Sequence, residues 1–300
     1  MKNFSVVIYS FLILLSTNSK AQDDVENENN IALEKKGLKL GINIGSYFAN
    51  KYTASIYDGY GFDIDGNKNS FDNSFMYQKI VLQYGGGYGQ TDLIAQALSV
   101  DHNEWFFKAS DMPINMRYNP AFVVGLVMRY SVDDKNSIIL NVNGSKLKAY
   151  GNFTITTTKQ LNTNQLTGNI HTFAIRGAEQ RLMFQFGYNR LLGNNEKLNF
   201  FVEGGLNITM AKFDSNEILI NTLYIDLTTY YDYPGYPTYR TRKPIGTGFG
   251  AFAGLGIHLN ISPKWLVQLG YNPTYEGINI GVDPKLKLQH TIGLKAYYKL

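Results

Sequence analysis

Histidine and cysteine set the limits on the catalysis that this chain of 300 residues can perform, since it has four histidines and no cysteine. Without cysteine there is no thiolate nucleophile, no disulfide and no zinc–cysteine site. His102 follows Asp101, and His171 precedes Thr172 with Glu179 further along the same predicted strand. A histidine near a carboxylate or hydroxyl can act as a general base, but such neighbours are also ordinary in solvated loops. We predict a protein that is not an enzyme and that holds no metal or cofactor.

Charged residues give a second set of candidate sites. The segment DIDGN at 63–67 has the start of a calcium-binding loop, but the ligand spacing and the closing glutamate are missing. The net charge is only +4, and the lysines and arginines are scattered, so no nucleic-acid partner is expected. The charged fraction of 17% is low for a soluble protein.

The N-terminus predicts export. Lys2 precedes an apolar run at 4–15, and the small residues Ser19 and Ala21 fit a cleavage site. We predict a signal peptide at 1–21 and a flexible periplasmic leader at 22–36, which is acidic and lacks aromatic residues. A membrane anchor is the alternative, but the apolar run is short for a span.

The segments of the chain that would carry any site show an alternation of apolar residues with polar or small residues. This period of two is typical of strands with one apolar face. Eight segments show it: 37–48, 121–132, 137–147, 181–192, 198–210, 248–261, 265–272 and 290–300.

The connections between these segments alternate in length. The links at 133–136, 193–197 and 262–264 are tight, and the others, near 49–120, 158–169, 214–247 and 272–285, are long. This pattern predicts an all-β fold, an antiparallel transmembrane β-barrel of about eight strands over 37–300. Short turns would face the periplasm, and long loops, of which 48–120 is the largest, would be extracellular. A soluble sandwich also alternates, but it rarely carries glycine and asparagine throughout one face.

The final segment, HTIGLKAYYKL, resembles the assembly signal of outer-membrane barrels, although that signal more often ends in phenylalanine than in a residue such as Leu300. Over 38–300 the chain resembles the small outer-membrane barrels of the OmpA-domain and OmpX type. The signal end SKAQ and the tyrosine-rich loops resemble the versions in Bacteroidota, some of which serve the type IX secretion machinery. The resemblance implies a Gram-negative outer membrane, contact with its lipid, and a structural or interaction role beside another envelope protein. A hydrolase acting at the barrel rim and a carrier of a hydrophobic ligand are the alternatives.

Charged residues on the polar face predict an ion network in the lumen. Glu203 is the one carboxylate that the predicted strands place at mid-membrane depth, and an unpaired charge there would be costly. We expect it to contact Lys295, with Arg129 as the second choice. His258 and Lys39 face inward nearer the periplasmic end.

The third long loop is rich in tyrosine and arginine, residue types favoured at binding hot spots. It predicts a partner-binding surface, although tyrosine also belongs to the interfacial belt of membrane proteins. The residues are Tyr230, Tyr231, Tyr233, Tyr236, Tyr239, Arg240 and Arg242.

The first long loop has enough apolar side chains to fold as a lid over the barrel mouth, with a mobile loop as the alternative. Apolar residues at 93–98 have helical spacing, with Thr91 as the expected N-cap. The stretch at 76–84 alternates and predicts an extended segment.

Overall fold

The computed structural model describes residues 37–63, 67–87, 89–158, 169–233, 236–241, 244–281 and 284–300, with side chains except at 230–241. The predicted signal peptide, the leader and part of the calcium-like segment lie outside these ranges. None of the described helices is long and apolar enough to cross a membrane.

Eight long strands form the sheet, and each pairs antiparallel with its neighbour in sequence. They are β1 (Gly37–Phe48), β2 (Ala121–Ser131), β3 (Asn136–Thr157), β4 (Asn169–Leu192), β5 (Leu198–Ile220), β6 (Ile245–Asn260), β7 (Trp265–Asn279) and β8 (Lys287–Lys299).

The sheet closes on itself, because β8 also pairs with β1, from Lys39 opposite Lys299 to Phe48 opposite His290. A closed ring has no free edge within the bilayer, where unpaired backbone groups would be costly. The prediction of an antiparallel eight-stranded barrel is confirmed.

The period of two decides which side chains face the lipid. On β1, Ile42 is 54% exposed while the next residue, Asn43, is 4% exposed. The same alternation around the ring gives an outer apolar belt that includes Phe122, Val124, Leu126, Leu140, Phe186, Leu206, Ile208, Phe249, Leu255, Leu269, Ile292 and Leu294. Aromatic residues exposed near the tight turns are Tyr130, Tyr188, Trp265 and Tyr298. Such a belt is typical of a transmembrane barrel.

Three neighbouring strands, β3, β4 and β5, are longer than the sequence pattern indicated, with 22, 24 and 23 residues against 12 in β1. The expected segments 137–147 and 181–192 are only their membrane halves. Above the apolar belt the outward face becomes polar and the inward face becomes largely apolar, so the contrast that marked the strands reverses. These halves form a wall that rises from the barrel on the side of the long loops.

The first long loop folds into short helices and two strand fragments. They are Lys51–Ala54, Ser55–Tyr57, Phe75–Tyr77 continuing into a π-helix at Gln78–Gln83, Leu93–Leu98, Ala109–Asp111, and the strands Trp105–Phe106 and Arg117–Tyr118. The expected extended segment at 76–84 is therefore wrong, since local helical hydrogen bonds replace strand pairing there. Thr91 is also not the N-cap, because the Asp92 carboxylate accepts from the amide of Ala95 at 2.8 Å.

This folded loop, the lid, packs against the inner face of the wall. The lid contributes Ala54, Ile56, Tyr57, Met76, Ile80, Ile94, Phe107, Met112 and Met116, and the wall contributes Leu147, Ala149, Phe153, Ile155, Phe173, Ile175, Phe213, Ile218 and Ile220. All are buried in one apolar cluster. Burial of this surface gives the lid its own core outside the membrane.

Beyond β5 the chain continues as strand Leu223–Asp226, which pairs back on β5. A two-stranded ribbon of Thr229–Tyr233 and Tyr236–Thr241 follows, with Tyr231 opposite Tyr239 and Tyr230 opposite Arg240.

Candidate functional site

The middle of the lumen holds an ion pair between strands that are not neighbours. Lys295 on β8 donates from Nζ to Oε1 of Glu203 on β5 at 2.7 Å. Both residues are buried, at 9% and 7% exposure. The amides of Asn272 and Asn189 also donate to this carboxylate, at 3.1 and 3.2 Å. At Gly254 a Cβ would lie 2.6 Å from Cγ of Glu203, so this glycine leaves the room that the carboxylate occupies.

A second layer lies near the tight turns. Arg129 donates from Nε to Oγ of Ser137 at 2.9 Å, and its Nη1 lies 3.2 Å from Nδ1 of His258. A guanidinium has no acceptor, so Nδ1 of His258 must accept and carries no proton. Lys39 donates to Oγ of Ser131 at 2.9 Å. The structure thus brings Arg129 and His258 together, and it places Lys295 rather than Arg129 on Glu203.

A third layer at the extracellular mouth was not anticipated. Arg181 on β4 donates from Nε to Oε1 of Glu179 at 2.5 Å, and both side chains are fully buried. The same guanidinium donates to the hydroxyl of Tyr47 at 2.8 Å, to Oε1 of Gln289 at 2.6 Å and to Oγ1 of Thr53 at 2.9 Å. Since Thr53 belongs to the lid, this network joins the lid to the barrel.

Two tyrosines of the lid complete the shell around Glu179. Tyr57 and Tyr118 both donate to its Oε2, at 2.9 and 2.8 Å. Burial raises the pKa of each tyrosine well above its ordinary value, and the nearby Glu179 charge raises it further. Both hydroxyls therefore keep their protons and act as donors.

A further buried carboxylate, Glu276 on β7, closes the mouth layer. It accepts from Thr209 at 2.6 Å, from Asn207 at 2.7 Å and from Gln289 at 2.5 Å. Gln289 also accepts from Arg181, so one amide connects two charged groups. The sequence analysis considered Glu179 only as a neighbour of His171 and did not consider Glu276, because the alternating segments 181–192 and 265–272 stop short of both residues. Glu179 has an odd number, like the inward residues of β4, and Glu276 has an even number, like the inward residues of β7. This alternation, continued beyond the apolar belt, is the signal that would have placed both side chains on the inner face.

Little space remains in the lumen beside Glu203. The cavity beside Glu203 and Lys295 has a volume of about 30 Å³, which is room for about one water molecule. The described side chains therefore fill the lumen at this level.

The histidines do not assemble a catalytic group within the described residues. His102 contacts Asp92 rather than its neighbour Asp101, with 2.8 Å between Nδ1 and Oδ2. His171 lies 3.1 Å from the hydroxyl of Thr157, while Glu179 is engaged by Arg181 in the mouth layer. In the part of the chain that the structure describes, no group of three or more histidine, aspartate or glutamate residues could hold a metal ion.

The tyrosine-rich segment is described only through its backbone, which forms the ribbon Thr229–Tyr233 and Tyr236–Thr241. Arg242 lies outside the described residues. The structure therefore shows that most of the predicted partner-binding residues share one hairpin.

No protein-family model matches this chain, and no curated protein is similar to it. Solved structures of membrane barrels are similar in fold. Neisserial surface protein A is 8% identical, with 88% of this chain and 97% of that chain covered and a TM-score of 0.38. The outer membrane protein OprG from Pseudomonas aeruginosa is 11% identical over 88% and 97%, with a TM-score of 0.37. Ail, the attachment invasion locus protein of Yersinia pestis, is 13% identical over 88% and 99% in its complex with the heparin analogue sucrose octasulfate, with a TM-score of 0.31. Similarity at this level says nothing about ligands or partners.

Proposed function

We propose that this chain is a non-enzymatic outer-membrane barrel of a Gram-negative cell that acts through its extracellular surface rather than through its lumen. The observation that carries the proposal is the contrast between the two parts of the barrel. The lumen is filled by paired charges and amides, with about 30 Å³ of space beside Glu203, whereas three strands extend beyond the belt to hold a folded lid.

The partner we propose is another envelope protein, bound at the ribbon of Thr229–Tyr233 and Tyr236–Thr241. Tyrosine buries a large area at protein interfaces with little loss of conformational entropy, and both tyrosine and arginine are enriched among hot-spot residues. A subunit of a type IX secretion assembly is the narrower form of this proposal. Its support is the resemblance in the tyrosine-rich loops and the signal end.

The alternatives have less support. A carrier of a hydrophobic ligand needs an apolar cavity of several hundred Å³. The apolar cavity between the lid and β5, beside Phe62, Phe75 and Phe213, has about 50 Å³. A hydrolase at the rim needs a histidine joined to a nucleophile and an orienting carboxylate, but His102 and His171 lie in separate contacts.

Purification in a mild detergent after crosslinking on intact cells tests the proposal. The ribbon variant replaces residues 229–241 with a short glycine–serine linker, and a matched control replaces residues 194–196 in a tight turn. We expect a stable protein partner that is lost in the ribbon variant and kept in the control. A partner that survives loss of the ribbon, or ion conductance by the intact protein in planar bilayers, would overturn the proposal.

A further inference from the structure

The extracellular half of β3 has a gap on the side that faces the lid. Trp105–Phe106 pairs with Thr156 and Thr157, and Arg117–Tyr118 pairs with Ala149 and Tyr150. Between these two contacts the lid uses residues 107–116, whereas β3 uses only 151–155. The excess chain bulges outward as a lobe, and the described residues form no backbone hydrogen bond between the lobe and 151–155.

The flanking hydrogen bonds show which backbone groups point into the gap. The amide of Asn119 donates to the carbonyl of Lys148 at 3.0 Å, and the amide of Thr158 donates to the carbonyl of Glu104 at 2.7 Å. Even-numbered residues of β3 therefore direct their N–H and C=O toward the lid, and odd-numbered residues direct theirs toward β4. By this alternation, the N–H and C=O of Asn152 point into the gap.

A groove of about 350 Å³ lies between the lobe and β3. The residues that line it include Asp111 and Arg117 from the lid and Tyr150, Asn152 and Thr154 from β3. A hydrogen bond of 2.6 Å from Thr154 to Asp111 closes one end. The backbone groups of Thr154 lie at this closed end, whereas the other end is open at Asn152 and offers one N–H and C=O pair.

The open end is positively charged. Arg117 lies over the ring of Tyr150, with 5.0 Å between its Cζ and the ring centroid. Arg176 is the cross-strand neighbour of Tyr150 on β4, and Lys148 is the preceding outward residue. Glu217, opposite Arg176 on β5, accepts a hydrogen bond from Tyr224 at 2.6 Å and keeps its negative charge, so Arg117 and Lys148 supply the positive charge at the open end. An occupant with a negative group near Arg117 would complement this surface.

We propose that this groove binds a short extended peptide segment with an acidic residue opposite Asn152. One residue of an extended peptide supplies a C=O and an N–H, which can pair with the N–H and C=O of one residue at a sheet edge. Paired residues share a face, so the acidic side chain would lie on the outer surface. The peptide would continue the strand line of Arg117–Tyr118, so Arg117 would lie two residues from the acidic residue. The distance between the two residues is about 7 Å, which is within reach of a glutamate carboxylate. This site is separate from the tyrosine-rich ribbon and does not depend on its function.

Amide hydrogen exchange of the full-length protein in detergent tests the backbone contact. The probe is a blocked tripeptide, acetyl-Val-Glu-Val-amide, because the strand position opposite Tyr150 is already taken by Arg117. We expect the Asn152 amide to exchange faster than that of Phe153, which faces β4, and to slow at least about tenfold with saturating peptide. Strong protection of Asn152 without peptide, or no change with it, would overturn the proposal.

Substitutions separate the backbone contact from the charge contact. Asn152→Pro removes the N–H at an open edge position, where proline is tolerated, whereas Asn152→Ser keeps it. We expect binding of the fluorescein-labelled peptide to weaken at least about tenfold in the proline variant and to persist in the serine variant. Arg117→Gln should reduce the affinity to that of the peptide with glutamine in place of glutamate.

One further probe keeps the test decisive if the proline variant does not fold. A peptide N-methylated at its glutamate cannot donate to the carbonyl of Asn152 and should not bind. Equal binding of the methylated and parent peptides, or occupation by soluble oligosaccharides with exclusion of the peptide, would refute a strand-like occupant.

Discussion

The hydroxyl of Tyr57 donates to Oε2 of Glu179 at 2.9 Å and thereby joins the lid to the wall of the barrel. The ring of Tyr57 stacks on Phe213, with centroids 4.9 Å apart. At Gly177 a Cβ would lie 2.1 Å from this ring, so β4 accommodates Tyr57 only because residue 177 is glycine. The fit of one ring and the bond of one hydroxyl therefore hold the lid against a buried carboxylate.

Removal of this hydroxyl should loosen the lid. Tyr57→Phe leaves Tyr118 as the remaining donor to Oε2 of Glu179, and the loss of one hydrogen bond to a charged group costs about 1.5–3 kcal/mol. We expect faster proteolysis within 48–120 and a lower Tm, with the barrel still folded. Tyr60→Phe is the matched control, since the ring of Tyr60 lies under Lys68, 4.1 Å from its Nζ. Equal protease resistance in both variants would contradict a role for the Tyr57 hydroxyl.

Steric displacement offers an independent test of the same contact. Gly177→Ala places a methyl group where the Tyr57 ring lies, and a rigid ring cannot yield as a flexible chain end does. We expect the lid to become protease-sensitive, as in Tyr57→Phe. The double variant Gly177→Ala with Tyr57→Ala should tolerate the methyl group better than Gly177→Ala alone, by the logic of a double-mutant cycle. Additive effects would argue against the contact.

Alkaline pH should release the lid. The pKa of Tyr57 and that of Tyr118 are raised in the folded protein, first by burial and then by Glu179. A group whose folded pKa is raised contributes stability that is complete below its unfolded pKa, about 10 for tyrosine, and that is lost as pH rises further. We expect protease resistance to be constant between about pH 7 and 9 and to fall above about pH 10. A loss of resistance near pH 7 would point to another group.

The ion pair in the middle of the lumen should stabilise the barrel. Glu203→Gln leaves Lys295 buried without its carboxylate, and breaking a buried pair typically costs about 3–5 kcal/mol. We expect a lower temperature for the heat-induced mobility shift on gels, whereas any surface binding is kept. Glu203→Gln with Lys295→Met should recover part of the loss, because no buried charge is left without a partner. Unchanged unfolding in each single variant would exclude a stabilising pair.

The sequence predicted the barrel because every membrane half-strand alternates, and alternation fixes both the lipid face and the lumen face. It also predicted the contact between Glu203 and Lys295, since Glu203 was counted from the tight turn at 193–197 and Lys295 from the end of the last strand at Leu300. Counting works there because each residue adds about 3.3 Å along a strand, and the periplasmic end of each strand lies at a known level.

The mouth layer could not be predicted in the same way. Glu179 and Glu276 lie beyond the apolar belt, where the outward face is polar and the alternation no longer marks a strand. The lid adds contacts between distant parts of the chain, such as Tyr118 on Glu179, and loop sequences do not encode such pairings by period. The helical form of Gln78–Gln83 was missed for a related reason, because a short apolar run fits a strand and a helix equally well.

Single-cysteine labelling should locate the membrane boundary on β5, and the absence of native cysteine makes each position unambiguous. Leu206 and Met210 are exposed apolar residues of the outer belt, whereas Lys212, the next outward residue, is charged. We expect a membrane-impermeant maleimide on intact cells to label Lys212→Cys but neither Leu206→Cys nor Met210→Cys, because lipid shields a belt position from the reagent. Glu196→Cys, in a tight turn, should react only after the outer membrane is permeabilised. Labelling of Glu196→Cys on intact cells would reverse the orientation, and labelling of Met210→Cys would move the boundary toward the periplasm.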